Sequence, residues 1–212
     1  MSRKSALIFA LVSVLWGIPY LFIKVAVDEE TGYAPAIVVF GRVLIGAAIL
    51  IPLALKDRSL FAAFRGIKYV AFYAVLEMII PWILIGTAEQ KISSGLAGLL
   101  VASVPIWSNL ITYFQGDKDA LKANRIVGIG IGFIGVVLIV GIETFSGSSD
   151  PLSILMVIVS AIAYSYAVIM IRNKLPDVSG IAINAVAMAK TAIFYLPFTI
   201  ALWPDHTVSR EA

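Results

Sequence analysis

Residues 34–55 read APAIVVFGRVLIGAAILIPLAL, apolar from end to end except for Arg42. A run of about twenty such residues is what a helix needs to cross the hydrocarbon of a bilayer. Arg42 therefore lies inside a membrane. On insertion scales a guanidinium near a helix centre costs on the order of 3 kcal/mol, while each Leu, Ile, Val or Phe returns a few tenths. The helix inserts, and its charge requires a polar neighbour. Two readings of such an arginine stand side by side: a structural group bonded to carbonyls of adjacent helices, or a ligand or counter-ion site. The opposite charge in another apolar span is Glu77.

The rest of the composition agrees. Of 212 residues, 60% are hydrophobic and only 14% charged, and the mean hydropathy is +0.98. The charged surface is too small for a soluble globule, so the chain is expected to be an all-α, polytopic membrane protein. Cys is absent and His206 is the single His. That removes disulfides, thiolate chemistry and His or Cys metal clusters, and no cofactor is called for. His206 sits in the polar tail and reads as a solvated loop residue. The pI near 9.1 does not point to nucleic acid, because the basic residues are scattered among short loops rather than gathered in a patch.

Seven spans are expected, at about 6–27, 34–55, 67–87, 92–113, 126–142, 152–171 and 181–203. In the first, Trp16, Tyr20 and Lys24 fall on one broad side. The third sets Tyr73, Glu77 and Pro81 at i, i+4 and i+8, so a phenol, a carboxyl and a helix-loosening proline share a face. A buried carboxyl with no cation close by can take up and release protons near neutral pH. The competing reading is a permanent ion pair between Glu77 and Arg42. Glu89, Gln90 and Lys91 read as a short polar link. In the fourth span Gly95 and Gly98 allow close helix approach, while the Pro105 kink, Trp107 and Asn109 hint at a cavity. The fifth contains Gly130, Gly132 and Gly135 in a G-x-G-x-x-G match. Lying within one apolar helix, that match is chance. Gly128 and Gly132 are better read as a GxxxG contact surface, one that suits a homodimer. The sixth span carries Tyr164, and the seventh has one interior charge, Lys190, with Asn184, Thr191 and Tyr195 along a second side.

A single shift of 148 residues places Trp16 on Tyr164, Lys24 on Arg172 and Arg42 on Lys190. The sixth and seventh spans then replay the first and second. Lys and Arg concentrate at the N-terminus and in alternate loops, with Lys56, Arg58, Arg65, Lys68, Lys118, Lys122, Arg125, Arg172 and Lys174 all on one side. By the positive-inside rule that side, and the N-terminus, is cytoplasmic. A unit of five helices reverses direction when repeated, which is a plan common to secondary transporters with a site at the repeat interface. The boundary between units is expected in the turn-rich stretch Ser146–Pro151, giving a first unit at 1–145 and a second at 146–212.

Leu15-Trp16-Gly17 with Lys24, Phe40-Gly41-Arg42, Ser93-Ser94-Gly95-Leu96-Ala97-Gly98-Leu99-Leu100 with Pro105, and Arg125-Ile126-Val127-Gly128 follow one another in order. In these residues the chain resembles the EamA-type members of the drug/metabolite transporter superfamily. The resemblance implies ten helices in two inverted five-helix repeats, a central cavity, and movement of small metabolites, often as export driven by a proton or other ion gradient. The third to fifth helices of a second repeat would fall at about residues 215–290, past Ala212. The second unit therefore has two of its helices here, and a truncated reading of a longer transporter is expected.

The function expected from these features is a secondary active transporter of small metabolites, amino acids or related compounds, in a cell membrane. Its pathway candidates are Arg42, Glu77, Lys190, Trp16, Tyr20, Tyr73, Trp107, Asn109 and Tyr164. The alternative is a non-transporting fragment or scaffold that needs a partner chain. An intramembrane enzyme lacks its parts, since the spans supply no Cys, no His and, on this reading, a single carboxylate.

Overall fold

The computed structural model describes residues 3–28, 32–140 and 150–204, and every regular element among them is helical. Helix α1 is Arg3–Ala26 and α2 is Pro35–Lys56. Pro35 opens α2 at its first turn, where a missing N–H costs nothing. Lys56 closes it where the macrodipole is negative. Arg58, at φ 53°, turns the chain out of the helix in the left-handed region. A short helix, α3 (Leu60–Arg65), then occupies the segment that the sequence reads as a basic loop.

The third span is continuous but not uniform. It comprises α4 (Ile67–Ala74), a π-helical turn over Val75–Ile79, and α5 (Ile80–Lys91). In the π turn the Ile80 N–H donates to Val75 O, five residues back. Pro81 follows at once; its ring cannot fit the i−4 register and it donates no N–H, so the wider turn absorbs the mismatch. The fourth span breaks at Ala102–Ser103 into α6 (Ser94–Val101) and α7 (Val104–Phe114), again at a proline, Pro105. The Ser93 hydroxyl caps α6 by accepting from Leu96 N at 3.2 Å.

Helix α8 is Ala123–Val140, α9 is Pro151–Lys174 and α10 is Gly180–Ala201. Asp150 caps α9, its carboxylate accepting from Ser153 Oγ at 2.7 Å and Ser153 N at 2.9 Å. Those bonds, the hydroxyl first, hold the Asp150 carboxyl below the ordinary carboxylate range. Five spans, 35–56, 67–91, 94–114, 151–174 and 180–201, are long and apolar enough to cross a membrane. Helices α1 and α8 stand at the other two expected positions. The protein is an all-α, multi-pass membrane protein.

Two seams hold the bundle. Along the first, α2 and α10 run antiparallel: Ala36, Val39 and Val43 pack with Ala192 and Tyr195, Gly46 meets the Met188 thioether, and Ala54 clusters with Ala182 and Ala185. Small side chains let the two backbones approach, which replaces the hydrophobic drive that lipid does not supply. The second seam joins the third span, α6 and α9 through Ile85, Leu96, Leu99 and Val157. Large apolar side chains such as Leu44, Ile45, Ile193 and Ile200 point outward, as a lipid-facing surface requires.

Candidate functional site

The seams leave a cavity of ≈ 360 Å³ between α1, α2, the third span, α7 and α9. This volume lies at the small end of the range for metabolite sites. Its polar side chains are Tyr20, Arg42, Glu77, Ser108, Tyr164 and Ser165, set among Trp82, Ile85 and Val104.

Arg42 enters from the second turn of α2 with its guanidinium carbon 3.9 Å from the centroid of the Trp82 ring. In a desolvated setting such a cation–π contact contributes about 2 kcal/mol. It lets an arginine stay in an apolar wall. The ring covers one face of the guanidinium and leaves its in-plane N–H donors to another partner. Among the described residues no ion pair joins Arg42 to a carboxylate. The groups within electrostatic reach are Tyr164, Tyr20 and Glu89.

Glu77 is carried by the π turn. Its Oε2 is buried and has no hydrogen-bond partner. The turn is clamped from behind by α10: the Tyr195 hydroxyl donates to Ile79 O at 2.6 Å, and the fully buried Met78 packs against Thr191. The permanent ion pair between Glu77 and Arg42 is therefore not formed; both groups face the cavity separately. The π turn also explains the position of Tyr73. A wider turn rotates residues four apart off a common face, so Tyr73 leaves the cavity and its hydroxyl reaches Asn184 Oδ1 at 3.4 Å.

A second buried carboxyl adjoins the site. Glu89 and its neighbours form the last helical turn of α5, not a polar link, because nothing before Ile92 breaks the helix. Glu89 is fully buried, and neither carboxylate oxygen has a hydrogen-bond partner. Lys24, in the last turn of α1, donates instead to the backbone carbonyls of Glu89 and Gln90, the latter at 3.1 Å. The cations within electrostatic reach of the Glu89 carboxylate are Lys24 and Arg42. The bundle interior thus contains two carboxyls where the sequence reading counted one.

The remaining candidates lie elsewhere. The Trp16 side chain falls outside the described residues. Trp107 Nε1 donates to Ser103 Oγ at 3.0 Å, bridging the break in the fourth span. Asn109 donates to Pro105 O at 2.8 Å and lines a separate space of ≈ 530 Å³ against α8, together with Gly128 and Gly132. Lys190 is partly buried on α10 and is not part of the cavity wall. Gly98 lies under the Tyr20 ring, where a Cβ would come to 3.7 Å of it. Gly95 is exposed, and a Cβ on Gly128 or Gly132 would meet nothing within 4 Å. Sequence reasoning missed Trp82, Ser108, Ser165 and Glu89. Trp82 had a signal, an aromatic residue directly after the proline that ends the Glu77 face. The two serines had none beyond being polar within spans.

The described residues thus form a multi-pass helical bundle whose interior holds a small cavity with a cation, a carboxyl and aromatic walls. More narrowly, residues 3–141 match the EamA-like transporter family, and the chain belongs to it. It is similar to an uncharacterized transporter of Clostridium kluyveri, 26% identical over 151 residues that make up 68% of this chain and 48% of the relative. It is also similar to the uncharacterized inner membrane transporter YedA of Escherichia coli K12, 23% identical over 72% of this chain and 48% of that one. An uncharacterized transporter of Archaeoglobus fulgidus is 25% identical over 92% of this chain and 67% of its own length. The chain spans about half the length of the first two of these relatives. No solved structure matches the chain.

Proposed function

We propose that the protein is a secondary active transporter that moves small carboxylate-bearing metabolites, amino acids or related compounds, by alternating access, with a proton as the coupling ion. Arg42 anchors the carboxylate, Tyr20, Trp82 and Tyr164 enclose the apolar body, and Glu77 exchanges the proton. The observation that carries this reading is a buried carboxyl without a hydrogen-bond partner on Oε2 in the same cavity as a cation with open donors. Intramembrane ionisable groups of this kind mark substrate and proton pathways.

Support for an inverted repeat comes from the α2–α10 seam. These are the two helices that the 148-residue shift equates, they pack antiparallel, and the Gly46–Met188 contact sets Arg42 and Lys190 at about the same level. The repeat interface is where a transporter of this plan places its site. With the basic loops inside, the N-terminus is cytoplasmic.

The test is transport in proteoliposomes under an imposed pH gradient, using a panel of amino acids and organic acids. Glu77→Gln should abolish gradient-driven accumulation while expression stays near the wild-type level. Wild-type coupling in that variant would remove Glu77 from the mechanism. A second reading, a scaffold that assembles through Gly128 and Gly132, draws on the open face of α8. Crosslinking that finds only monomers in an actively transporting preparation would dispose of it.

A further inference from the structure

We propose that the basic side of the bundle has a seat for one anionic phospholipid, its phosphate held by Lys68 and Lys174 beside the Tyr69 ring and its acyl chains lying against Phe61 and Phe64 of α3. The inference goes beyond the transport reading and holds whatever molecule is carried.

Lys68 stands in the first turn of α4, and Lys174 ends α9. Far apart in the chain, their ammonium groups converge on one ring, with Lys68 Nζ 4.9 Å and Lys174 Nζ 6.0 Å from the centroid of Tyr69. Gly66 makes the convergence possible. A Cβ on it would come to 2.7 Å of the Leu175 side chain, so a residue without one lets the start of α4 press against the end of α9. Tyr69 and Leu175 pack on the same core cluster, which holds the ring in place. Both lysines are exposed, and the ring attracts a cation without cancelling its charge. Among the described residues neither lysine forms an ion pair. The stretches 56–69 and 172–177 that build the seat carry six cations, Lys56, Arg58, Arg65, Lys68, Arg172 and Lys174, against two acids, Asp57 and Asp177. Such a surplus fits an anion.

Helix α3 decides which kind of anion. The spans 35–56 and 67–91 flank it, so α3 lies at the depth of the lipid headgroups. Its Ala63 is fully buried and Leu60 packs on the core, while Phe61 and Phe64 are 66% and 52% exposed. Three residues apart, the two rings share a face of the helix, and the Arg65 guanidinium carbon lies 4.8 Å from the centroid of the Phe61 ring. A soluble anion would leave both phenylalanines in water. A helix at a bilayer surface with apolar rings and cations side by side follows the pattern of interfacial anchoring. A phospholipid satisfies both halves, its phosphate meeting the ammonium groups and its acyl chains the phenylalanines. The headgroup must be anionic, because the quaternary ammonium of a choline lipid would be repelled by the same lysines.

The experiment is native mass spectrometry of lipid retained by the purified full chain, offered phosphatidylglycerol and phosphatidylcholine of identical acyl chains in equal amounts. The wild type should keep one phosphatidylglycerol under activation that strips phosphatidylcholine. Lys68→Gln/Lys174→Gln should weaken phosphatidylglycerol binding roughly thirtyfold, as expected for two basic residues at a membrane surface, and Lys68→Arg/Lys174→Arg should retain it. Lys118→Gln/Arg125→Gln, on another basic loop, should leave it unchanged. All four positions are exposed, and thermal unfolding in detergent checks that each variant folds. Equal retention of the two lipids by the wild type overturns the proposal, as does wild-type binding in Lys68→Gln/Lys174→Gln. An equal loss in Lys118→Gln/Arg125→Gln overturns it in favour of diffuse surface charge. Displacement of the lipid by an equal concentration of glycerol 3-phosphate would assign the lysines to a soluble phosphate, and displacement by polyglutamate to an acidic protein segment. The lipid comparison and both displacements need only the wild type, so they decide the matter even if a variant fails to fold.

Discussion

Helix α10 and helix α8 are both apolar and rich in small residues, yet the protein uses them in opposite ways. The small residues of α10 are sealed: Ala182, Ala185 and Ala187 are fully buried and α2 lies along the helix, Gly46 against Met188. On α8, a Cβ added to Gly128, Gly130, Gly132 or Gly135 would meet nothing within 4 Å, and Ile131 and Leu138 stand exposed. A small residue permits close approach but does not choose a neighbour. On α10 the neighbour is present, and α10 in turn clamps the π turn that delivers Glu77. On α8 the same permission leaves an open groove beside Asn109.

This contrast is open to direct attack, and the largest effect is expected at Gly46. A leucine there must displace the Met188 thioether from the α2–α10 seam. Overpacking should cost up to about 3 kcal/mol, read as a fall in thermal stability in detergent; an unchanged transition would mean the seam is not tight. Next comes Tyr195→Phe, which strips Ile79 O of its donor. A loss of about 1 kcal/mol is expected, accompanied by weaker proton coupling because the π turn is no longer held. A loss of stability with coupling intact would separate the clamp from Glu77.

A smaller effect belongs to the entry into α9. The Asp150 carboxyl is held below its ordinary range by Ser153, so its contribution is complete above the unfolded-state value, about pH 4, and is lost as the pH falls through the lower folded-state value. Amide exchange at Ser153 should therefore accelerate on acidification in the wild type and be insensitive to pH through this group in Asp150→Asn, after correction for intrinsic exchange rates. The smallest effect is expected for Gly128→Leu. With open space around it, the change should stay within about 0.5 kcal/mol; a larger loss would show that a partner fills the groove.

The positions of the spans, the isolated Arg42 and Glu77 and the break at Pro105 were legible in the sequence, because crossing a bilayer demands length and apolarity and each exception then stands out. Family membership was legible too, in the ordered motifs around Trp16, Arg42 and Pro105. Glu89 was misread because three consecutive polar residues look like a loop, while the helix runs on for one more turn and turns Glu89 inward, leaving Lys91 exposed. Periodicity at 3.6 residues put Tyr73 beside Glu77, and it could not foresee the π turn that parts them. Hydropathy, spacing and local motifs act along the chain, and the sequence alone determined what they decide: a multi-pass helical protein with charges at membrane depth. Which of those charges share one space is settled by packing between segments far apart in the chain. Only the tertiary structure set Trp82 over Arg42, Tyr195 behind the π turn and Lys24 against the end of α5, because each contact depends on the crossing of two helices that no single segment specifies.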